Sequence, residues 1–132
     1  MNAKEYERSR KNAYARWRED IVADFLRRRG YLIVDSHSRP IASRPRAVLD
    51  LVAWEERTDT MTFIRVSGTD SMYDRYYNVH YKLRRRQDKN RYQAVADVWR
   101  RLNKWRGKWR LAEARVFGAF YGGRPVIEYV EY

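Results

Sequence analysis

The chain has 132 residues, of which 29 are lysine or arginine and 17 are aspartate or glutamate, giving a formal net charge of +12. This length fits one domain, and the absence of cysteine excludes disulfides, zinc ribbons and thiolate chemistry. The N-terminal residues MNAKEYERSRKNAY lack the apolar region of a signal peptide, and no stretch approaches the roughly 18 apolar residues of a membrane span. We therefore expect a cytoplasmic protein with no membrane partner.

The first half of the chain predicts one helix and three strands. Residues 1–11 are expected to form a flexible segment, and residues 12–29 a helix whose apolar side chains recur on one face. Those side chains are Tyr14, Trp17, Ile21 and Phe25, and Val22 and Leu26 widen the apolar face. The three predicted strands are 31–35, 46–54 and 60–67. The second strand is apolar on both alternating faces, as in a central strand that is covered on both sides.

The second half predicts a further helix and two more strands. The helix covers residues 80–105 and ends near Gly107, and the strands are 113–121 and 125–132. The order over residues 12–132 is then α-β-β-β-α-β-β. This order predicts a single α/β domain with a central mixed sheet of about five strands, flanked by two long helices.

The positive charge is concentrated in one part of the chain. Residues 82–110 carry twelve basic and two acidic side chains, a net charge of +10. A solvated helix face is usually more balanced, so a polyanion is the simplest partner, DNA in preference to RNA. The side chains expected to contact phosphates are Lys82, Arg84, Arg85, Arg86, Lys89, Arg91, Arg100, Arg101 and Lys104.

Trp105 and Trp109 alternate with basic residues at the end of this segment. Aromatic rings between basic side chains are suited to stacking on unpaired bases. The alternative is that a tryptophan packs on the core while the basic stems cover it. The sequence leaves both possibilities open.

Asp50 stands out as a carboxylate inside an otherwise apolar strand. Burial of a charge is costly unless the charge is paired, hydrogen-bonded or bound to a cation. One explanation is a strand-end aspartate that is hydrogen-bonded to backbone or paired with an arginine. The other is a functional carboxylate in an active site.

Several short motifs occur in an order that resembles a known family. Glu19 is followed by LRRRGY at 26–31, by AVLDLVA at 47–53 and by FIRVS at 63–67, before the basic helix and the final VIEYVEY. In this order the chain resembles the YraN-like family, which is classed as endonuclease-like and has a core of the restriction-endonuclease or Holliday-junction-resolvase type. The resemblance spans roughly residues 12–132.

The resemblance implies metal-dependent cleavage of phosphodiesters, but several of the family's site residues are replaced here. Glu19 and Asp50 match acidic residues of the family. Val48 lies where the family has a glutamate, and Arg65-Val66-Ser67 lies where the family has a Glu-x-Lys motif. An Arg65–Asp50 pair about 4 Å apart would gain about 4 kcal/mol at an effective dielectric near 20. We therefore expect a degenerate catalytic remnant of Glu19, Asp50, Arg65 and Ser67, with Arg65 as a counter-ion. No cofactor is expected, although Glu19 and Asp50 would hold Mg²⁺ in an active enzyme.

The other candidate site residues carry weaker signals. The hairpin-turn acids Glu55, Glu56 and Asp59 are expected to be solvated, whereas Asp70 and Asp74 are candidates for a shifted acidic site. His37 and His80 have no catalytic partner at a suitable spacing, so we expect them on the surface or in loops.

The sequence leaves three functions open. The first is an endonuclease-like protein that binds DNA or RNA and has lost catalysis. The second is a Mg²⁺-dependent endonuclease acting on branched or single-stranded nucleic acid. The third is a module whose basic helix binds an acidic protein.

Overall fold

The computed structural model describes residues 2–38, 49–69, 86–119 and 122–132. Within these residues, helices and strands follow one another in the predicted order α-β-β-β-α-β-β. The elements are α1 (Ala3–Arg28), β1 (Tyr31–Ser38), β2 (Leu49–Glu55), β3 (Thr60–Thr69), α2 (Arg86–Leu102), β4 (Lys108–Ala119) and β5 (Gly122–Glu131).

The described strands form one mixed five-stranded sheet in the order β1-β2-β3-β4-β5. The first three strands are antiparallel neighbours, β4 runs parallel to β3, and β5 returns antiparallel to β4. A parallel pair needs a crossover connection, and α2 lies in the segment that joins β3 to β4. The prediction of an α/β domain with a mixed five-stranded sheet is thus confirmed.

Each helix covers one face of the sheet. Ile64 of β3 packs in a cluster with Val22 and Leu26 of α1, whereas the preceding Phe63 packs with Trp99 of α2. Successive strand residues point to opposite faces, so the two clusters lie on opposite sides of the sheet. β2 also contributes to both clusters, which confirms that it is a central strand covered on both sides.

Helix α1 begins at Ala3, nine residues before the predicted start, and so includes most of the segment expected to be flexible. The Asn2 side chain accepts a hydrogen bond from the Glu5 amide at 2.8 Å, and Glu5 reaches back to the Asn2 amide, which together form a capping box. Apolar periodicity could not mark this start, because residues 2–9 are all exposed. Neither described helix is long and apolar enough to cross a membrane.

Several other element ends also differ from the predictions. α2 ends at Leu102 instead of residue 105. β4 begins at Lys108 instead of residue 113, because residues Thr60 to Thr69 of β3 pair with β4 from Lys108 onward. The basic segment 82–110 is therefore not one helix. The predicted start of this helix at residue 80 lies outside the described residues.

Candidate functional site

Helix α2 ends in a tight turn in which one residue, Lys104, has a left-handed backbone conformation. The Trp105 amide donates to the Arg100 carbonyl at 2.9 Å, and the Lys104 amide donates to the Arg101 carbonyl at 3.3 Å. Lys104 has a φ of 55°, so these bonds form a Schellman motif with a lysine where glycine is usual. The turn brings the residues after the helix back beside its last turn.

A depression with a volume of about 630 Å³, the basic depression, lies at this end of α2. It is lined by Asp97, Arg100, Arg101, Lys104, Trp105 and Arg106. Four of these side chains are cationic and one is anionic, so the lining has a clear excess of positive charge. This depression is the described surface that best matches the concentration of charge in the sequence.

The four cations of the basic depression are not equivalent. Arg100 forms an ion pair with Asp97, and its guanidinium carbon lies 4.0 Å from the centroid of the Trp109 ring. The side chains of Arg101, Lys104 and Arg106 are exposed and form no ion pair within the described part of the chain. Asp97 therefore neutralises Arg100 and leaves the other three positive charges facing solvent.

The remaining predicted phosphate contacts lie partly outside the described residues. Arg91 is exposed on α2. Arg86 and Lys89 belong to α2, but their side chains are not described, and Lys82, Arg84 and Arg85 precede the described helix. Their roles stay predictions.

Arg110, the last basic residue of the segment, faces the opposite side of the sheet. It forms ion pairs with Glu55 and Glu131, and it donates hydrogen bonds to the Tyr31 hydroxyl at 2.6 Å and to Thr62 Oγ1 at 3.1 Å. These partners come from all the other described strands, so Arg110 joins the sheet internally and does not add to the basic surface.

The hairpin-turn acids Glu55, Glu56 and Asp59 are expected to be solvated, and the structure corrects this expectation for Glu55 alone. Glu55 is half-buried; burial raises its pKa, but the Tyr31 hydroxyl and Arg110 outweigh this and hold the pKa below its ordinary value. Asp59 is exposed but accepts a hydrogen bond from the Trp54 indole at 2.9 Å. Glu56 is exposed, as predicted.

Asp50 is held at the end of the β2–β3 pairing. Its Oδ2 accepts a hydrogen bond from the Val66 amide at 2.8 Å. Val66 lies beyond the last described pair of these two strands, which joins Leu51 to Ile64. The carboxylate thus takes the place of a backbone acceptor, which is one structural reason for an acidic residue at this position.

The other members of the predicted catalytic remnant divide between the two faces of the sheet. Arg65 lies on the α2 side, with its guanidinium carbon 5.3 Å from the centroid of the Tyr92 ring. Ser67 shares this face, and its buried Oγ has no hydrogen-bond partner within the described residues. Glu19 is buried on α1, in the same helical stripe as Val22. The Arg65–Asp50 pair stays a prediction.

A buried ion pair on β4 was not anticipated from the sequence. Arg115 Nε donates to Glu113 Oε1 at 2.5 Å, and the Tyr132 hydroxyl donates to Glu113 Oε2 at 3.2 Å. Glu113 is the parallel-strand neighbour of Arg65, and Arg115 is that of Ser67. The only signal in the sequence is the spacing of opposite charges two residues apart within an apolar strand.

Within the described ranges, no three histidine, aspartate or glutamate side chains are grouped so that they could hold a metal ion. The predicted ligands Glu19 and Asp50 both lie in these ranges, whereas Asp70, Asp74 and His80 do not. The side chain of His37, in β1, is not described. The assignment of Mg²⁺ to Glu19 and Asp50 stays a prediction.

The two tryptophans differ in their surroundings. Trp109 packs edge-on against Phe63, with ring centroids 6.4 Å apart, and its ring contacts Arg100. Trp105 lines the basic depression, and its indole N–H donates to the Lys108 carbonyl at 2.9 Å. Both rings also pack against the α2-side core, as the packing alternative expects.

Comparison with known proteins assigns no family. No protein-family model matches the chain, and a search of curated proteins finds no match. Inferences about function therefore depend on the residues and their geometry.

Proposed function

We propose that this protein binds nucleic acid through the basic depression and the adjoining surface of α2. The observation that carries this proposal is the group of three exposed cations, Arg101, Lys104 and Arg106, that no described carboxylate neutralises. Such a group attracts a chain of phosphates and gains free energy by releasing condensed counterions. Contacts of this kind position a nucleic acid without specifying its sequence.

We further propose that the domain is of the restriction-endonuclease type and has lost catalysis. The order of elements and the parallel β3–β4 pair are compatible with the core that the sequence resemblance implies. In the resemblance, Arg65 and Ser67 occupy the positions of the family's glutamate and lysine. Asp50 accepts a hydrogen bond from the backbone amide of Val66 in β3. These substitutions support binding without cleavage.

The test is the salt dependence of binding to a fluorescently labelled oligonucleotide, measured by anisotropy. The unmodified protein is expected to bind at low salt, with log K falling linearly as log salt rises. The double variant Arg101→Gln with Lys104→Gln should bind more weakly. The slope of log K against log salt should become less steep by roughly 0.7–0.9 for each lost phosphate contact. Absence of binding at low salt would overturn the proposal.

The matched control is the double variant Arg8→Gln with Arg16→Gln. Both arginines are exposed on α1, so the loss of charge is the same but lies away from the basic depression. The control should keep nearly the original slope. An equal loss in both double variants would show that net charge matters and that the depression is not the binding surface.

The same samples test the alternative functions. Incubation with Mg²⁺ or Mn²⁺ is expected to leave branched and single-stranded substrates intact. Cleavage that Asp50→Asn abolishes would establish the endonuclease alternative instead. Tight retention of an acidic protein, with no affinity for any oligonucleotide, would favour the protein-interaction alternative.

A further inference from the structure

The ring of Trp109 has little room for a ligand. The Arg100 guanidinium lies over the ring at 4.0 Å from its centroid, and Phe63 approaches it edge-on. Arg100 is itself fixed by its ion pair with Asp97. A nucleobase could stack on this face of Trp109 only by displacing the arginine, so Trp105 is the better candidate for a stacking platform.

The ring of Trp105, by contrast, forms part of the lining of the basic depression and is held in one orientation. Its indole N–H is bonded to the Lys108 carbonyl, which fixes the polar edge of the ring. Gly107 packs closely against the ring, because a Cβ added at this glycine would lie 2.8 Å from Trp105 Cζ2. An aromatic ring fixed in this way loses little conformational entropy when a base stacks on it.

The cations beside this ring are placed to hold a phosphate backbone. Arg101, Lys104 and Arg106 line the same depression and are exposed. Its volume of about 630 Å³ falls within the roughly 300–1,000 Å³ of pockets that bind small ligands. Among the described lining residues the only carboxylate is Asp97, which is engaged with Arg100 and so does not cancel the three exposed charges.

We infer that the basic depression binds one unpaired nucleotide of a single-stranded nucleic acid, with its base stacked on Trp105 and its flanking phosphates on the exposed cations. This inference rests on the proposed function and narrows its ligand class. In a duplex each base is stacked between its neighbours, so its face cannot meet a protein ring. A single strand offers both phosphates and free base faces.

The first experiment needs no variant of the protein. Binding of the full chain is compared, at one moderate salt concentration, for a labelled single strand, its duplex and an abasic strand of equal length. The single strand is expected to bind best, roughly 5- to 150-fold more tightly than the abasic strand, because only the latter lacks bases to stack. Equal affinity for the three ligands would overturn the inference while the proposed function stands.

The second experiment assigns the effect to Trp105. Trp105→Leu should lose the preference for the single strand over the abasic strand, whereas Trp105→Phe should keep most of it. Tyr6→Leu, which removes an aromatic ring that is 62% exposed on α1, is the control and should change neither affinity. A preference that survives in Trp105→Leu would overturn the inference. Absence of binding to all three ligands would overturn the proposed function as well.

Discussion

Lys104 combines backbone strain with an exposed charge that lines the proposed binding site, and substitution can separate the two. Its φ of 55° is unfavourable for a residue with a Cβ, at a cost of roughly 1–2 kcal/mol, and costs glycine almost nothing. We predict that Lys104→Gly is more stable than Lys104→Ala by about 1 kcal/mol in urea unfolding. Both variants should lose oligonucleotide affinity equally, because both lack the charge.

Equal stability of the two Lys104 variants would contradict the left-handed turn at the end of α2. A difference in affinity between them would instead show that the shape of the turn, as well as its charge, contributes to binding. Together the two measurements distinguish how the chain folds from how it recognises a ligand.

Individual residues also show where sequence reasoning succeeded and where it failed. The strand-end explanation of Asp50 included a bond to backbone, and the structure shows such a bond from Val66. The Glu113–Arg115 pair was missed because its burial depends on the parallel neighbour β3, which is distant in sequence. Local patterns cannot show which strand will lie beside another.

At the scale of elements, the strongly periodic segments were predicted and the polar ones were not. The stripe of α1 that packs on the sheet is apolar and was recognised, whereas its first turns have no apolar face. The end of α2 was placed too late because the stopping signal is a lysine in a conformation that glycine usually adopts. A helix end that is set by capping hydrogen bonds can be located only once those hydrogen bonds are known.

The capping box of α1 leads to a prediction about local stability. Asn2→Ala should remove the cap and cost the first turn about 1 kcal/mol. Because residues 2–9 are exposed, the loss should appear as faster amide hydrogen exchange in these turns, with little change in the midpoint of global unfolding. Asn2→Ser, which preserves a capping oxygen, is the control. A large drop in global stability would show that these turns pack against the rest of the molecule.

At the scale of the whole molecule, Arg110 and its partners Tyr31, Glu55, Thr62 and Glu131 join the described strands. With the nearby Tyr129 of β5, this group should make stability depend on pH. The Glu55 carboxyl has a pKa below its ordinary value of 4.5, whereas burial raises the pKa of the Tyr31 and Tyr129 hydroxyls above the usual 10.0. Because the pKa of Glu55 is lower in the folded than in the unfolded protein, its contribution to the free energy of unfolding is present above pH 4.5. This contribution is lost as the pH falls through the pKa of Glu55 in the folded state. Because the pKa values of Tyr31 and Tyr129 are higher in the folded than in the unfolded protein, the free energy of unfolding should decrease as the pH rises above 10.0.

The measurement is the free energy of unfolding in urea between pH 3 and pH 11. Glu55→Gln should flatten the acid side of this profile, and Tyr129→Phe should flatten the alkaline side. A profile that neither variant changes would show that these groups have the same pKa values in the folded and unfolded protein.

The parallel pairing of β3 with β4 has a consequence for how the molecule folds. Thr60 pairs with Lys108, 48 positions later in the chain, whereas β1, β2 and β3 pair with near neighbours. Closing a long loop costs entropy before its contacts form, so we expect the three-stranded meander to assemble first and the crossover to dock last. In pulse-labelled hydrogen exchange during refolding, amides of β2 should be protected before those of β4. The proposed nucleic-acid surface would then form only in the final folding step, so an incompletely folded chain would carry the charge but not the ordered basic depression.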